Sequence, residues 1–370
     1  MRQTCATAAG QYDAGAAWAS KWHGFLLCVL GLAISIGDGF AAEDSASSSS
    51  PEPRGASHAH EMSQSKYDAL REKVPLYRNY TDAEIDLSML MMGPNYAASV
   101  SGPDVSADVG VLVLAHGFGE VGDRVFKEQL ESIGSIFPTA IGFGMSMMNS
   151  AHIQLAVDDL VAAGAQTIVV IPALSSPWNT QMRQWEYMFG IHDNAGYLET
   201  ERITTSAGII FSDTLSDNPL VAEALLDYAN ELKAEPARTV VIIVSHGPTS
   251  EDDNQKTLQM LHSLGDIVRE DGRFREVKAI SLQNDAPKDV RAANVVKLRN
   301  WVASGAEQGD EVVIVTNLLA TRSIQNQIRE ELAGLQYKFN AKGLSQHPNF
   351  NKWIEDSVRK RLSGTSIQED

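Results

Sequence analysis

Gly110-Val-Leu-Val-Leu-Ala-His116-Gly117-Phe-Gly119 is the stretch on which the reading of this chain turns. Five apolar residues follow the first glycine, and a histidine and a glycine end the run. An unbroken apolar run closed by glycine reads as a strand buried on both faces that ends in a tight turn. Such strands belong to open α/β sheets, where ligands bind beyond the carboxyl ends of the strands. His116 therefore stands where chemistry is expected. The signature returns at Val240-Val-Ile-Ile-Val-Ser-His246-Gly247-Pro248. A buried strand closed by His-Gly occurs twice.

Outward from His116, strands expected at 110–115, 140–145, 167–172 and 207–211 alternate with helical patterns at 123–136, 151–163 and 219–232. After His246 the same rhythm gives strands at 238–245, 276–282 and 311–316 and helices at 257–268 and 290–303. Alternation of this kind implies an α/β fold of parallel βαβ units with right-handed crossovers. Leu215-Ser216-Asp-Asn-Pro219 is answered by Leu344-Ser345-Gln-His-Pro348, each leading into a helix. The histidines are 130 positions apart (246 − 116) and the Leu-Ser pairs 129 (344 − 215), so an internal repeat is expected. A surplus at 175–205 in the first half holds Trp178, Trp185, Tyr187 and His192, and Pro236 marks the boundary.

The 370 residues suffice for two domains, and an apolar share of 44% can fill their cores. A net charge of −17 without Lys/Arg clusters excludes nucleic acid as a partner. Both cysteines, Cys5 and Cys28, precede residue 30, so the body has no disulfide, thiolate metal site or cysteine nucleophile. The apolar run at 24–36 is too short to span a bilayer but suits a signal-peptide core. Gly39-Phe40-Ala41 supplies the small residues for cleavage. Export to the periplasm or outside follows, with a membrane contact only if this segment stays uncleaved. The expected organisation is a signal peptide at 1–42 and a Ser-rich linker with an N-terminal extension at 43–108. A first lobe at 109–235, a second at 236–362 and a tail at 363–370 complete it. Thr81-Asp-Ala-Glu84 in the extension reads as a capping box opening a helix at 81–92.

Histidine at a strand end can hold a divalent metal or accept a proton near neutral pH. His116 and His246 are the candidates for both roles, and Glu120, in the turn after His116, is a candidate further ligand. Trp178 with Trp185 and Tyr187 offers a flat aromatic wall for a ligand. Their plainer reading is a hydrophobic surface between the domains. His152 and His262 read as structural, the latter packed inside its helix. A rival reading treats His116-Gly-Phe-Gly119 as the oxyanion loop of an α/β-hydrolase, with Gly144-Met-Ser146 as a degenerate nucleophile elbow. It leaves the second strand-His-Gly unexplained.

The order of these motifs resembles the small class II chelatases, the sirohydrochlorin cobaltochelatases and ferrochelatases. The resemblance rests on Ala115-His116-Gly117, the helix at 151–163 closed by Gly164-Ala165, the strand at 167–171 followed by Pro172-Ala-Leu174, and Leu215-Ser-x-x-Pro219. Ser245-His246-Gly247 and Leu344-Ser345-x-x-Pro348 carry it into the second half. It implies two tandem flavodoxin-like lobes with mainly parallel sheets, and a lyase that inserts Co2+ or Fe2+ as a substrate into a tetrapyrrole, in cobalamin or siroheme biosynthesis, without a nucleotide. His116 and His246 match the family's first histidine. The family's second histidine has no counterpart, and Asn179 beside Trp178 is the nearest substitute in the first half. A glutamate that some relatives have after the second strand is also missing from the first half. An exported relative that binds metal or tetrapyrrole without turnover is the alternative. The oligomeric state is left open.

Overall fold

The computed structural model describes residues 54–57, 62–320 and 323–365. The expected signal peptide at 1–42 lies outside the described residues, as does most of the Ser-rich linker. The chain opens with strand β1 (Arg54–Ser57), helices α1 (Gln64–Lys73) and α2 (Asp82–Met92), and β2 (Asn95–Ser99). Then follow β3 (Val109–Ala115), α3 (Gly119–Gln129), α4 (Glu131–Gly134), β4 (Thr139–Phe143), α5 (Ala151–Ala162), β5 (Thr167–Pro172), α6 (Thr180–Met188), β6 (Gly208–Phe211) and α7 (Pro219–Asn230). The remainder is β7 (Thr239–Ser245), α8 (Glu251–Gly272), β8 (Glu276–Ser281), α9 (Lys288–Glu307), β9 (Glu311–Asn317), α10 (Ser323–Glu331), β10 (Lys338–Phe339) and α11 (Asn349–Thr365).

The strands form two sheets, β1-β2-β4-β3-β5-β6 and β10-β9-β7-β8. Within them β4-β3-β5-β6 and β8-β7-β9-β10 run in the same order, and all of these pairs are parallel. This is the expected α/β class with mainly parallel sheets. A hydrolase would need one continuous sheet, so that rival reading is not met. Ser146, its nucleophile candidate, is also fully buried.

The apolar runs alternate between two cores, as strands buried on both faces must. Val111 and Val113 of β3 share one core with Val241 and Ile243 of β7 and with Val313 and Val315 of β9. Leu112 and Leu114 face the opposite way, onto α5 and α6. Ile242 and Val244 point away on the other side, into a third core with Leu298 of α9 and Ile328 of α10. The two sheets thus sandwich one common interior. The helices in it cross between the halves: α7, from the first, packs on α8 and β9, whereas the last helix, α11, packs on α4 and β5. Packing crosses the expected boundary at 235/236 in both directions.

Several local expectations need correction. Strands β1 and β2 arise where a linker and chain breaks were expected, and β2 pairs antiparallel with β4. The single helix expected at 123–136 starts earlier and is broken at Leu130 into α3 and α4. The surplus at 175–205 contains a helix, α6. The Thr81 capping box is formed, its hydroxyl accepting from Glu84 N–H while Glu84 accepts from Thr81 N–H.

Candidate metal and proton site

In each sheet the strand carrying His-Gly lies between the next two strands of its half, and the helices on its two sides pack on opposite faces. Such a reversal of strand order opens a crevice at the carboxyl edge. His116 follows β3 and His246 follows β7 directly. Each is followed by a glycine in the left-handed region, with φ of 88° at Gly117 and 78° at Gly247. That conformation turns the chain sharply out of the strand and is cheap for glycine alone. At Gly247 a Cβ would also stand 1.8 Å from Ser281 Oγ.

The two histidines lie near one another, His246 acting electrostatically on His116. His116 is exposed to solvent. Desolvation, and after it the proximity of His246, holds its pKa below the ordinary histidine value. Its ring meets Phe118 edge-on at 4.7 Å. The turn behind it is pinned by Asp123, a buried carboxylate that accepts from Phe118 N–H at 2.5 Å and from the Tyr96 hydroxyl at 2.9 Å. Desolvation and Asp123 together push the Tyr96 phenol pKa up.

His246 has a different setting. Its Nδ1 lies 2.8 Å from the Gly247 carbonyl, which can only accept, so Nδ1 carries the proton. In the neutral ring Nε2 then bears the lone pair, and it faces Asp285 Oδ2 at 3.7 Å. Asp285, in the loop after β8, escaped the sequence reading. Gln-Asn-Asp in a loop looks like solvated surface, and only the fold brings it to His246. Asp285 also acts electrostatically on His116 and on the phenols of Tyr77 and Tyr197.

Other candidates are placed elsewhere. Glu120 is exposed in the first turn of α3. Trp178 packs on the common core, and Trp185 is fully buried with Tyr187 in the core behind α6, so the latter two do not form a ligand wall. Asn179 caps α6, its carbonyl accepting from Met182 N–H at 2.8 Å and its amide donating to Ser176 O at 2.6 Å. An Asn before Thr-Gln and a helical run was a legible cap signal. His192 pairs with Glu186 at 3.3 Å. His262 is exposed rather than packed. His152 is structural, as expected: it is buried and bonded to Ser146 Oγ at 3.0 Å. Among the described residues no group of three or more His, Cys, Asp or Glu is arranged to hold a metal. A surface groove of about 670 Å3 between α7 and the segment before α11 is lined by Tyr228, Glu231, Lys342 and His347, none of them candidate site residues.

No family model matches the chain, and no curated protein sequence does. Solved structures do. SirB from Bacillus subtilis with Fe3+ is similar over 71% of this chain and 99% of its own, with 17% identity and a TM-score of 0.53. The sirohydrochlorin chelatase SirB from Bacillus subtilis subspecies spizizenii in complex with cobalt is similar over 71% and 98%, with 15% identity and a TM-score of 0.50. At these identities the likeness speaks for architecture: the chain has a chelatase-like fold.

Proposed function

We propose that this protein is a chelatase that seats a divalent metal, Co2+ or Fe2+, between His246 and Asp285 and inserts it into a sirohydrochlorin-type tetrapyrrole. One observation carries the reading. Two acceptors, His246 Nε2 and Asp285 Oδ2, face each other at 3.7 Å, an arrangement that favours a cation between them. Metal bonds of about 2 Å to each span that gap with a bent N–metal–O angle. Two protein ligands hold a metal loosely, which suits an ion that must be given up. Insertion exchanges two pyrrole N–H protons for the metal. His116, across the crevice and kept unprotonated by its lowered pKa, is the base for one of them, and Asp285, freed as the metal leaves it, takes the other. The likeness of fold to a sirohydrochlorin chelatase supports the tetrapyrrole as the second substrate. In the same reading the two halves are tandem chelatase-like lobes that arose by duplication, and the chain is exported after cleavage near Ala41.

The test is absorbance of sirohydrochlorin mixed with Co2+ or Fe2+ and the protein. Turnover that His116→Ala abolishes is expected, and an unchanged rate in that variant overturns the assignment. Binding without turnover is the second reading. It is favoured by Asn179, whose amide is committed to its cap and so gives His116 no partner ligand. Metal affinity with no spectral change would select it.

A further inference from the structure

The extension at 62–92 is rooted at both ends on one sheet edge: β1 precedes it, β2 follows it, and these strands are antiparallel neighbours. It is braced internally. Tyr67 donates to Asp86 at 2.7 Å, Tyr77 and Ser88 share a hydrogen bond at 3.0 Å, and Arg71 pairs with Asp82 and donates to Tyr80 O at 2.9 Å. Its seat is soft. Met62, Met89 and Met92 pack on one cluster with Met145, Met147 and Met148 of the loop after β4, which also holds Tyr197 and Leu198. Methionine contacts repack at little cost. Its tip reaches the second sheet's half, where Lys288, the first residue of α9, lies over the Tyr80 ring at 5.5 Å. At the far root Gly93 has φ 86° and ψ 177°, a conformation essentially confined to glycine, with nothing near its absent Cβ.

We propose that residues 62–92 form a flap over the crevice, hinged at Gly93 and latched by Lys288 on Tyr80, that must swing aside to admit a ligand larger than a metal ion. The unit is stiff inside, seated on a deformable surface, joined to the first half by Lys73 donating to Ala195 O at 3.4 Å, and tied to α9 by the exposed Lys288–Tyr80 contact. It flanks the metal site: Tyr80 of the flap meets Lys288, three residues beyond the Asp285 that faces His246 at 3.7 Å, and Asp285 also acts electrostatically on Tyr77 of the flap. Both histidines remain open to solvent with the flap down, so a metal ion needs no opening. This inference rests on the crevice reading of the proposed function.

The test uses the full chain with Cys5 and Cys28 replaced by serine. Lys288→Ala and Tyr80→Leu release the latch; Tyr80→Cys with Lys288→Cys, oxidised, locks it. Three measurements are made: Co2+ affinity by calorimetry, sirohydrochlorin association by stopped-flow absorbance, and backbone hydrogen exchange across 62–92 without ligand. Co2+ affinity is expected to stay within twofold in every variant. Unlatching should speed macrocycle association at least threefold and raise exchange over 62–92 relative to β3 and β7. Locking should slow association at least tenfold, reversed by reductant. If the cysteine pair does not close, the unlatched variants decide. Unchanged exchange and unchanged association on unlatching overturn the flap. If the unaltered protein binds Co2+ but no macrocycle, the chelatase reading falls, and exchange over 62–92 alone decides the flap.

Discussion

His246 Nε2 stands 3.7 Å from Asp285 Oδ2, while the other ring nitrogen, Nδ1, lies 2.8 Å from Gly247 O. The carboxylate is provided by a loop two elements further along the chain, so the pair exists only in the folded state. Asp285→Asn keeps the shape and removes the charge. Calorimetry should find Co2+ bound about 10–100-fold more weakly, with His246→Ala at least as damaging. The double variant should lose less than the sum of the two, because both act on one ion. Full Co2+ affinity in Asp285→Asn would refute the pairing.

His116 depends on Asp123 through the turn behind it. Asp123→Ala leaves Phe118 N–H and the Tyr96 hydroxyl without their shared acceptor. Losing that shared acceptor should cost ~2–4 kcal/mol in urea unfolding, whereas Tyr96→Phe should cost about 1 kcal/mol. Insertion should suffer in Asp123→Ala more than Co2+ affinity does, since the displaced histidine is the base and not the ligand.

Gly117 and Gly247 make a paired test of backbone against space. Alanine at either pays for a left-handed φ, about 1–2 kcal/mol. At Gly247 the new methyl also meets Ser281 Oγ at 1.8 Å and Gln283 N at 3.0 Å, while at Gly117 the nearest atom is 3.9 Å away. The melting temperature should therefore fall further for Gly247→Ala, and Ser281→Ala should restore part of that loss. Equal losses would mean the turn relaxes freely.

Acid should weaken the fold through two histidines. Desolvation pulls His152 down to about 3, and His116 is shifted the same way. Groups so shifted take up protons in the unfolded chain at higher pH than in the folded one. The stability they add is complete above about pH 6.5 and is lost as pH falls toward about 3. His152→Gln keeps a partner for Ser146 without the titration. Its urea midpoint should change less across that window than that of the unaltered protein.

Much of this was legible in the sequence, for physical reasons. β3 and β7 are buried on both faces, so their apolar runs are unbroken and unmistakable, and the His-Gly turns inherit that clarity. β2 was not: Asn95-Tyr-Ala-Ala-Ser99 has no alternation and follows Gly93-Pro94, and it becomes a strand only because β4 offers it an edge. Trp185 and Tyr187 looked like a ligand wall because aromatic residues fill cores and pockets alike, and their burial, decided by α6, assigns them to the core. Asp285 illustrates the remaining gap. A carboxylate in a polar loop carries no sign of the partner that tertiary structure will bring to it.

The crossing of α7 and α11 has a consequence for how such a chain can be cut. Residues 109–235 expressed alone would carry α7 without the β9 and α8 surface it covers, and would leave bare the β5 face that α11 shields. Neither half is then a self-sufficient folding unit, and both should aggregate or stay unfolded when produced separately. Co-expressed, the two pieces would have reciprocal docking sites and should reassemble. A protein made of only one such half would face the same exposed face and the same orphan helix, and its simplest remedy would be a two-fold dimer trading that helix between copies.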